Sequence, residues 1–447
     1  MKLLTLSLLA SLSFAIAAPA ADWPGWMGVD REGVWKEDGI LEKFPKGGPK
    51  VLWRTPINHG YSGPAVVGNR VYVMDRKLAD LADSPGNPFE RGEIPGNERV
   101  LCLDASSGKI IWEHAYDCQY TVSYASGPRA TPTVDGDRIY TLGAEGDLLC
   151  LGAADGKVKW SHNFKKLFGI KAPTWGFTGS PLVDGDLLIC LAGGDGTTAV
   201  AFDKLSGEQR WTELTAKEPG YAPPKIIEHG GKRLLIIWHP ESVNALDPQT
   251  GEIRWTVDWP LRSGLSVATP RLNGDRLFFS CFYNGSMMLE LKANNSAPEI
   301  LWRTERASEN PARTTHLHGI MSTPVFTDEH IYGVGSYGEF RCLEAESGDR
   351  LWSSLKPIAL DKPTRWGNAF ITPQAGRYFL FTEKGDLVIA GLSPEGYTEV
   401  DRAHLIEPDG ADMRQRKIVW SHPAYARKCC FVRNDSEIIC VSLAAGS

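Results

Sequence analysis

No stretch of this sequence carries the three-to-four-residue apolar period of an amphipathic helix, and that absence disfavours helical bundles and helical solenoids. Beyond the first twenty residues no apolar run approaches the length of a membrane span, which argues against a transmembrane anchor in the mature chain. No cysteine precedes Cys102, which excludes a lipid attached near a leader cleavage site. A basic excess is also missing. Lys and Arg number 48 against 54 Asp and Glu, a balance that argues against nucleic acid or an anionic membrane surface as the main partner. There is no C-x-x-C-H haem attachment, nucleophile elbow, phosphate loop or metalloprotease helix, so no short motif declares a chemistry.

What is present begins with an export signal. Lys2 supplies a positive charge, Leu3 to Ile16 is uncharged and apolar, and small residues follow, with Ala15-Ile16-Ala17 and Ala18-Pro19-Ala20 both fitting a cleavage site. The expected layout is a signal peptide over 1–20, an N-terminal extension over 21–49 and one large domain over 50–447, free in the periplasm or secreted. Nine cysteines in an exported chain invite a disulfide framework. Their places argue otherwise. Cys102, Cys150, Cys342 and Cys440 occupy one position of a repeat, and Ala201 and Ala245 occupy it elsewhere. A site that accepts Cys or Ala wants a small apolar side chain.

Two independent markers define that repeat. The first is a proline beside an apolar strand, at Pro64, Pro132, Pro181, Pro224, Pro270, Pro324, Pro373 and Pro423. The second is a turn residue four places before an aromatic strand residue, as in Gly108–Trp112, Gly156–Trp160, Gly207–Trp211, Gly251–Trp255 and Gly348–Trp352. Pro49–Trp53 and Pro298–Trp302 are proline versions, and Gly396–Val400 has lost its Trp. Each marker counts to eight, at a period that means a propeller or a solenoid. Each repeat reads as four short strands separated by Gly, Asp and Asn turns. The tryptophan–aspartate and kelch signatures are absent. The expected fold is therefore all-β, an eight-bladed β-propeller of four-stranded antiparallel blades.

The order of the markers predicts how the ring closes. Trp53 precedes the first marker proline, and the last repeat ends after its third strand. Lys50–Arg54 should therefore supply the missing fourth strand and remove an exposed edge. In such blades the first-to-second and third-to-fourth turns lie on one face, and here they are short. The second-to-third connections and the links between blades lie on the other face and hold the long segments. Function is expected there, over the central funnel, with the Lys77–Arg99 loop lying over part of it.

The segments CLDASSGKIIW, AFDKLSGEQRW and ALDPQTGEIRW resemble the pyrroloquinoline-quinone (PQQ)-type propeller repeat, found in quinoprotein alcohol dehydrogenases and in BamB-type outer-membrane assembly lipoproteins. SYASGPRATP, WGFTGSPLVDGD, HGIMSTPVF and RWGNAFIT are similar to bacterial PQQ-binding-like propellers. The resemblance covers nearly the whole mature chain. If it extends to activity, it implies PQQ with Ca2+, a carboxylate base, arginines for the quinone carboxylates and a Trp to stack on the ring. It also implies a vicinal disulfide, to which Cys429-Cys430 is alike in sequence. That pair falls in the last repeat, on a second strand, and reads as structural. No Glu/Asn/Asp constellation matches the cation site, and no carboxylate stands out as the base.

The funnel-side candidates for a ligand or cofactor are Arg129, Trp175, His316, His318, Arg365, Trp366 and Asn368, with His59 before the first blade. They come from the starts of different blades, which a propeller brings together around its axis. His316 and His318 form an HxH pair that could hold a metal with a third ligand, but no metal site is assigned. Arg129 and Arg365 could bind an anion or bridge blades, and the Trp-Gly pairs could stack a ligand or wedge blades. Three functions follow: a binding module for a protein partner or a small anionic or sugar-like ligand, a quinone-dependent alcohol or sugar dehydrogenase, and a BamB-like assembly scaffold.

Overall fold

A computed structural model describes residues 21–80 and 87–446. The export signal expected over 1–20 lies outside the described residues. Eight four-stranded antiparallel sheets form the ring. Blade 1 spans Ala65–Val67, Arg70–Leu78, Gly96–Asp104 and Ile110–Asp117. Blades 2 to 7 repeat the pattern from Thr133, Leu182, Lys225, Arg271, Val325 and Ala369. Blade 8 comprises Ala424–Ala426, Cys429–Arg433 and Glu437–Ser442, and Val51–Pro56 supplies its outer strand, with Trp53 opposite Cys440. The first and last strands of the ring thus share one sheet, and Glu437–Ser442 is not left as an open edge.

The recurring small residue is explained by what flanks it. On the third strand, Cys102 lies between Tyr72 and Trp112, Cys150 between Tyr140 and Trp160, and Cys342 between Tyr332 and Trp352. Ala201 and Ala245 hold the same place beside Trp211 and Trp255. Two large cross-strand neighbours leave room for only a small side chain between them. All nine cysteines are buried free thiols, Cys429 and Cys430 included.

The glycine and tryptophan of the second marker are not each other's partners. At five seams the Trp packs on the turn glycine of the next blade: Trp53 on Gly108, Trp112 on Gly156, Trp160 on Gly207, Trp211 on Gly251 and Trp302 on Gly348. A Cβ at Gly108 would stand 2.6 Å from the Trp53 ring, and one at Gly156 would stand 2.5 Å from the Trp112 ring. Both glycines also hold positive φ, so the position demands glycine twice over. The indole Nε1 then donates across the same seam, from Trp112 to Ala153 O at 3.1 Å and from Trp302 to Ala345 O at 3.0 Å. Aromatic area and one directed bond therefore join blade to blade.

The N-terminal extension lies across the axis. Trp23 bridges Val66 of blade 1, and Arg31 donates to Ser180 O and Pro224 O and to Pro181 O. Glu32 pairs with Lys225 and Arg271, and Trp35 stacks on Tyr425 with ring centroids 5.0 Å apart. These partners are the innermost strands of blades 1, 3, 4, 5 and 8, or the residues beside them. The segment therefore plugs the axial channel. It gives the funnel a floor that the sequence reading did not anticipate.

Candidate ligand cup

A blind cavity of about 510 Å³ sits over that plug. Its walls follow directly from the repeat. Three residues before each marker proline stand Tyr61, Arg129, Thr178 and Tyr221 in blades 1 to 4. Val267, Met321, Phe370 and Trp420 take the same place in blades 5 to 8, and all eight line the cavity. The fold's eightfold pseudosymmetry thus turns one repeat position into a closed ring of side chains. Trp26 of the plug forms part of the wall below it, donating from Nε1 to Thr269 Oγ1 at 2.9 Å and packing on His422 at 5.0 Å. Phe89, from the long loop of blade 1, lies 5.2 Å from the Tyr124 ring and 5.8 Å from the Trp366 ring.

Of the expected site residues, the fold brings Arg129, Trp175, Arg365 and Trp366 into this wall. His316, His318 and Asn368 do not line it. His316 stacks on Trp302 of the outer strand of blade 5 at 5.0 Å, with Nδ1 2.7 Å from the hydroxyl of Thr304, which follows that strand. His318 is fully buried, its Nδ1 3.0 Å from Phe282 O, and burial lowers its pKa to about 4. Asn368 is buried against Glu383, whose Oε2 accepts from its backbone N–H at 3.2 Å. His59 sits 3.5 Å from Asp435, an interaction that raises the pKa of the imidazole. No group of three or more His, Cys, Asp or Glu among the described residues could hold a metal, so the HxH pair gains no third ligand.

The two arginines are held differently. Arg129 donates to Gly127 O at 2.6 Å, to Ser123 O at 2.8 Å and to Tyr124 O, and its guanidinium stands 5.4 Å from the Tyr61 ring. It makes no ion pair among the described residues. Arg365 is neutralised by Glu309, approaches the Tyr283 hydroxyl at 3.3 Å and lies 4.7 Å over the Trp366 ring. The phenol of Tyr61, its pKa pushed up to about 12 mainly by burial, stays protonated at any physiological pH. His422, at about 4 because of its burial, stays neutral. Tyr124, Ser263 and Trp366 reach the cavity from positive φ, at 54°, 59° and 63°. Backbone held in that region costs about 1 kcal/mol or more per residue and clusters at functional sites.

Eleven of the described lining residues are Phe, Tyr or Trp, and none of them is Asp, Glu, Asn or Gln. An eight-bladed propeller with an aromatic cup on its long-loop face is the class these features define. The family model described as "Outer membrane protein assembly factor BamB" matches residues 96–354 and again 240–447, and the chain belongs to this family. No curated protein sequence matches the chain. Among solved structures it is similar to BamB from Moraxella catarrhalis, at 14% identity and a TM-score of 0.56, over 88% of this chain and 97% of that one. It is similar also to the quinohemoprotein alcohol dehydrogenase from Comamonas testosteroni, at 14% identity and a TM-score of 0.59, over 97% of this chain and 82% of that one. A europium-containing methanol dehydrogenase matches at 13% identity and a TM-score of 0.58, over 95% and 90% of the two chains. At these identities the likeness shows the fold alone.

The cup does not fit the calcium that the dehydrogenase likeness implies beside a quinone. A hard cation needs several carboxylate, amide or carbonyl oxygens at one point. No described side chain of the wall carries a carboxylate or an amide. Cys429 and Cys430 are buried free thiols in blade 8 and do not reach the wall.

Proposed function

We propose that this propeller is a binding module that works outside the cytoplasm and holds its partner or ligand in the cup of its long-loop face. One observation carries the reading: all eight blades and the plug contribute to a wall made largely of aromatic and aliphatic groups, with no carboxylate or amide among its described side chains. Such a wall can desolvate and orient a ligand, but its described side chains offer no carboxylate base and no cluster of carboxylate or amide oxygens for a cation. The charged, apolar and small-residue run of the first twenty residues supports the location.

The test uses the four tryptophans of the wall as reporters. Titrating the purified protein with a panel of small aromatic, sugar and quinone compounds should give a saturable change in emission with the aromatic ones. That response should weaken at least tenfold in Trp366→Ala. Calcium-dependent quinone binding together with alcohol-dependent dye reduction would overturn the reading in favour of a dehydrogenase. The family match favours a second reading, in which the occupant belongs to a protein partner.

A further inference from the structure

We infer that the cup selects a largely apolar, ring-bearing small molecule carrying a single anionic group, held without a metal ion, with the anion placed at Arg129. This rests on the cup being a binding site. Three ligand classes compete for a wall of this kind. Sugars stack on aromatic rings but need edge-on partners for many hydroxyls, which carboxylates and amides supply. The described wall has neither; beside its two arginines its polar groups are Thr178, Ser263, the tyrosine hydroxyls, the indole N–H groups and His422. Organic cations are drawn to aromatic cages. Here the Arg129 guanidinium opposes them and no carboxylate among the described wall side chains attracts them. An apolar anion meets neither objection.

Charge then fixes the number of anionic groups. Arg365 is already neutralised by Glu309. His422 is neutral, and the buried phenol of Tyr61 is protonated. Arg129 is left as the uncompensated charge among the described side chains of the wall. Three backbone carbonyls take three of its five donors, leaving two for a carboxylate or sulfonate. In a desolvated, aromatic surround one such contact is worth far more than in water. A polyanion would bring further charges that the wall cannot match. The volume of about 510 Å³ lies within the range of pockets that enclose drug-sized ligands.

The experiment compares 2-naphthoate, 2-naphthalenemethanol and 2-naphthylmethylammonium, which share a ring system and differ in charge. Each is titrated into the purified protein, with tryptophan emission as the readout and calorimetry as a check. Naphthoate should bind at least tenfold more tightly than the alcohol, and the ammonium compound most weakly. Arg129→Gln should remove the preference of acid over alcohol, read as the ratio of the two affinities in the same variant. Arg129→Lys should restore part of it. Equal binding of acid and alcohol, or tighter binding of the ammonium compound, would overturn the anion assignment and leave the binding cup standing. If none of the three binds, the binding-module reading itself fails. The wild-type series decides the matter even if Arg129→Gln does not fold.

Discussion

The indole Nε1 of Trp53 donates to the backbone carbonyl of Ala105 at 2.9 Å, across the seam between the last blade and the first. It makes there the contact that Trp112 and Trp302 make at other seams, so the closing strand is bolted like any other. Its ring also rests on Gly108, at φ 71°.

That seam gives the first prediction. Trp53→Ala removes a buried indole and should cost about 3–5 kcal/mol. Gly108→Ala should also be severe, because the new Cβ would stand 2.6 Å from the indole. Gly136→Ala, at φ 57° with nothing within 4 Å of the new Cβ, should cost only the left-handed backbone term, about 1–2 kcal/mol. Thermal melts of the three variants check the order, and equal losses at Gly108 and Gly136 would contradict the seam packing.

The thiols give the second. Denaturing alkylation without prior reduction should label Cys102, Cys150, Cys342 and Cys440. Cys102→Ala should be mild, near 1 kcal/mol, because alanine fills the same place beside Trp211 and Trp255. Cys102→Leu should be worse, at about 1–3 kcal/mol of overpacking between Tyr72 and Trp112. Recovery of disulfide-linked peptides would refute the packing role.

The ring was legible because every blade repeats one solution, and repetition exposes the solution in the sequence. The closure followed from marker order alone. The plug was not legible, since residues 21–49 repeat nothing and Trp26, Arg31, Glu32 and Trp35 have no counterparts. Within the site, Arg129, Trp175, Arg365 and Trp366 were singled out by residue type near blade starts. The same criterion picked His316, His318 and Asn368, which the fold turns toward Thr304, Phe282 and Glu383 instead. Position was the better signal. Three residues before each proline, the repeat itself names Tyr61, Tyr221, Met321 and Trp420, which a search for chemical groups passes over because most are not ionisable at neutral pH.

Acid sensitivity gives the third prediction. His318 and His422 are buried, and burial holds each near a pKa of about 4. In the unfolded chain a histidine titrates near 6.5. Between those values the unfolded chain binds protons that the folded chain refuses, so stability falls as pH drops from about 6.5 toward 4. Each histidine should remove about 2 kcal/mol by pH 5. His422→Phe suits the site, since Trp26 and Phe370 already flank the ring at 5.0 and 4.9 Å. Urea midpoints at pH 7 and pH 5 should show a smaller drop in that variant than in the wild type. An identical drop would remove His422 from the account.

The last prediction concerns the sign of charge in the cup. Glu309 neutralises Arg365, while no described carboxylate pairs with Arg129. Removing Glu309's charge should therefore act opposite to removing that of Arg129. Glu309→Gln frees the Arg365 guanidinium, which still lies over Trp366 at 4.7 Å. Naphthoate affinity should rise about two- to fivefold, because the freed charge is partly exposed and screened. Arg129→Gln should lower the same affinity at least tenfold. The double variant should fall between the two and shift the favoured anion position toward Arg365. Affinity for 2-naphthalenemethanol should hardly change in Glu309→Gln. If Glu309→Gln weakens naphthoate and the alcohol alike, the Glu309–Arg365 pair shapes the wall rather than setting its charge, and Arg129 alone decides which ligands enter.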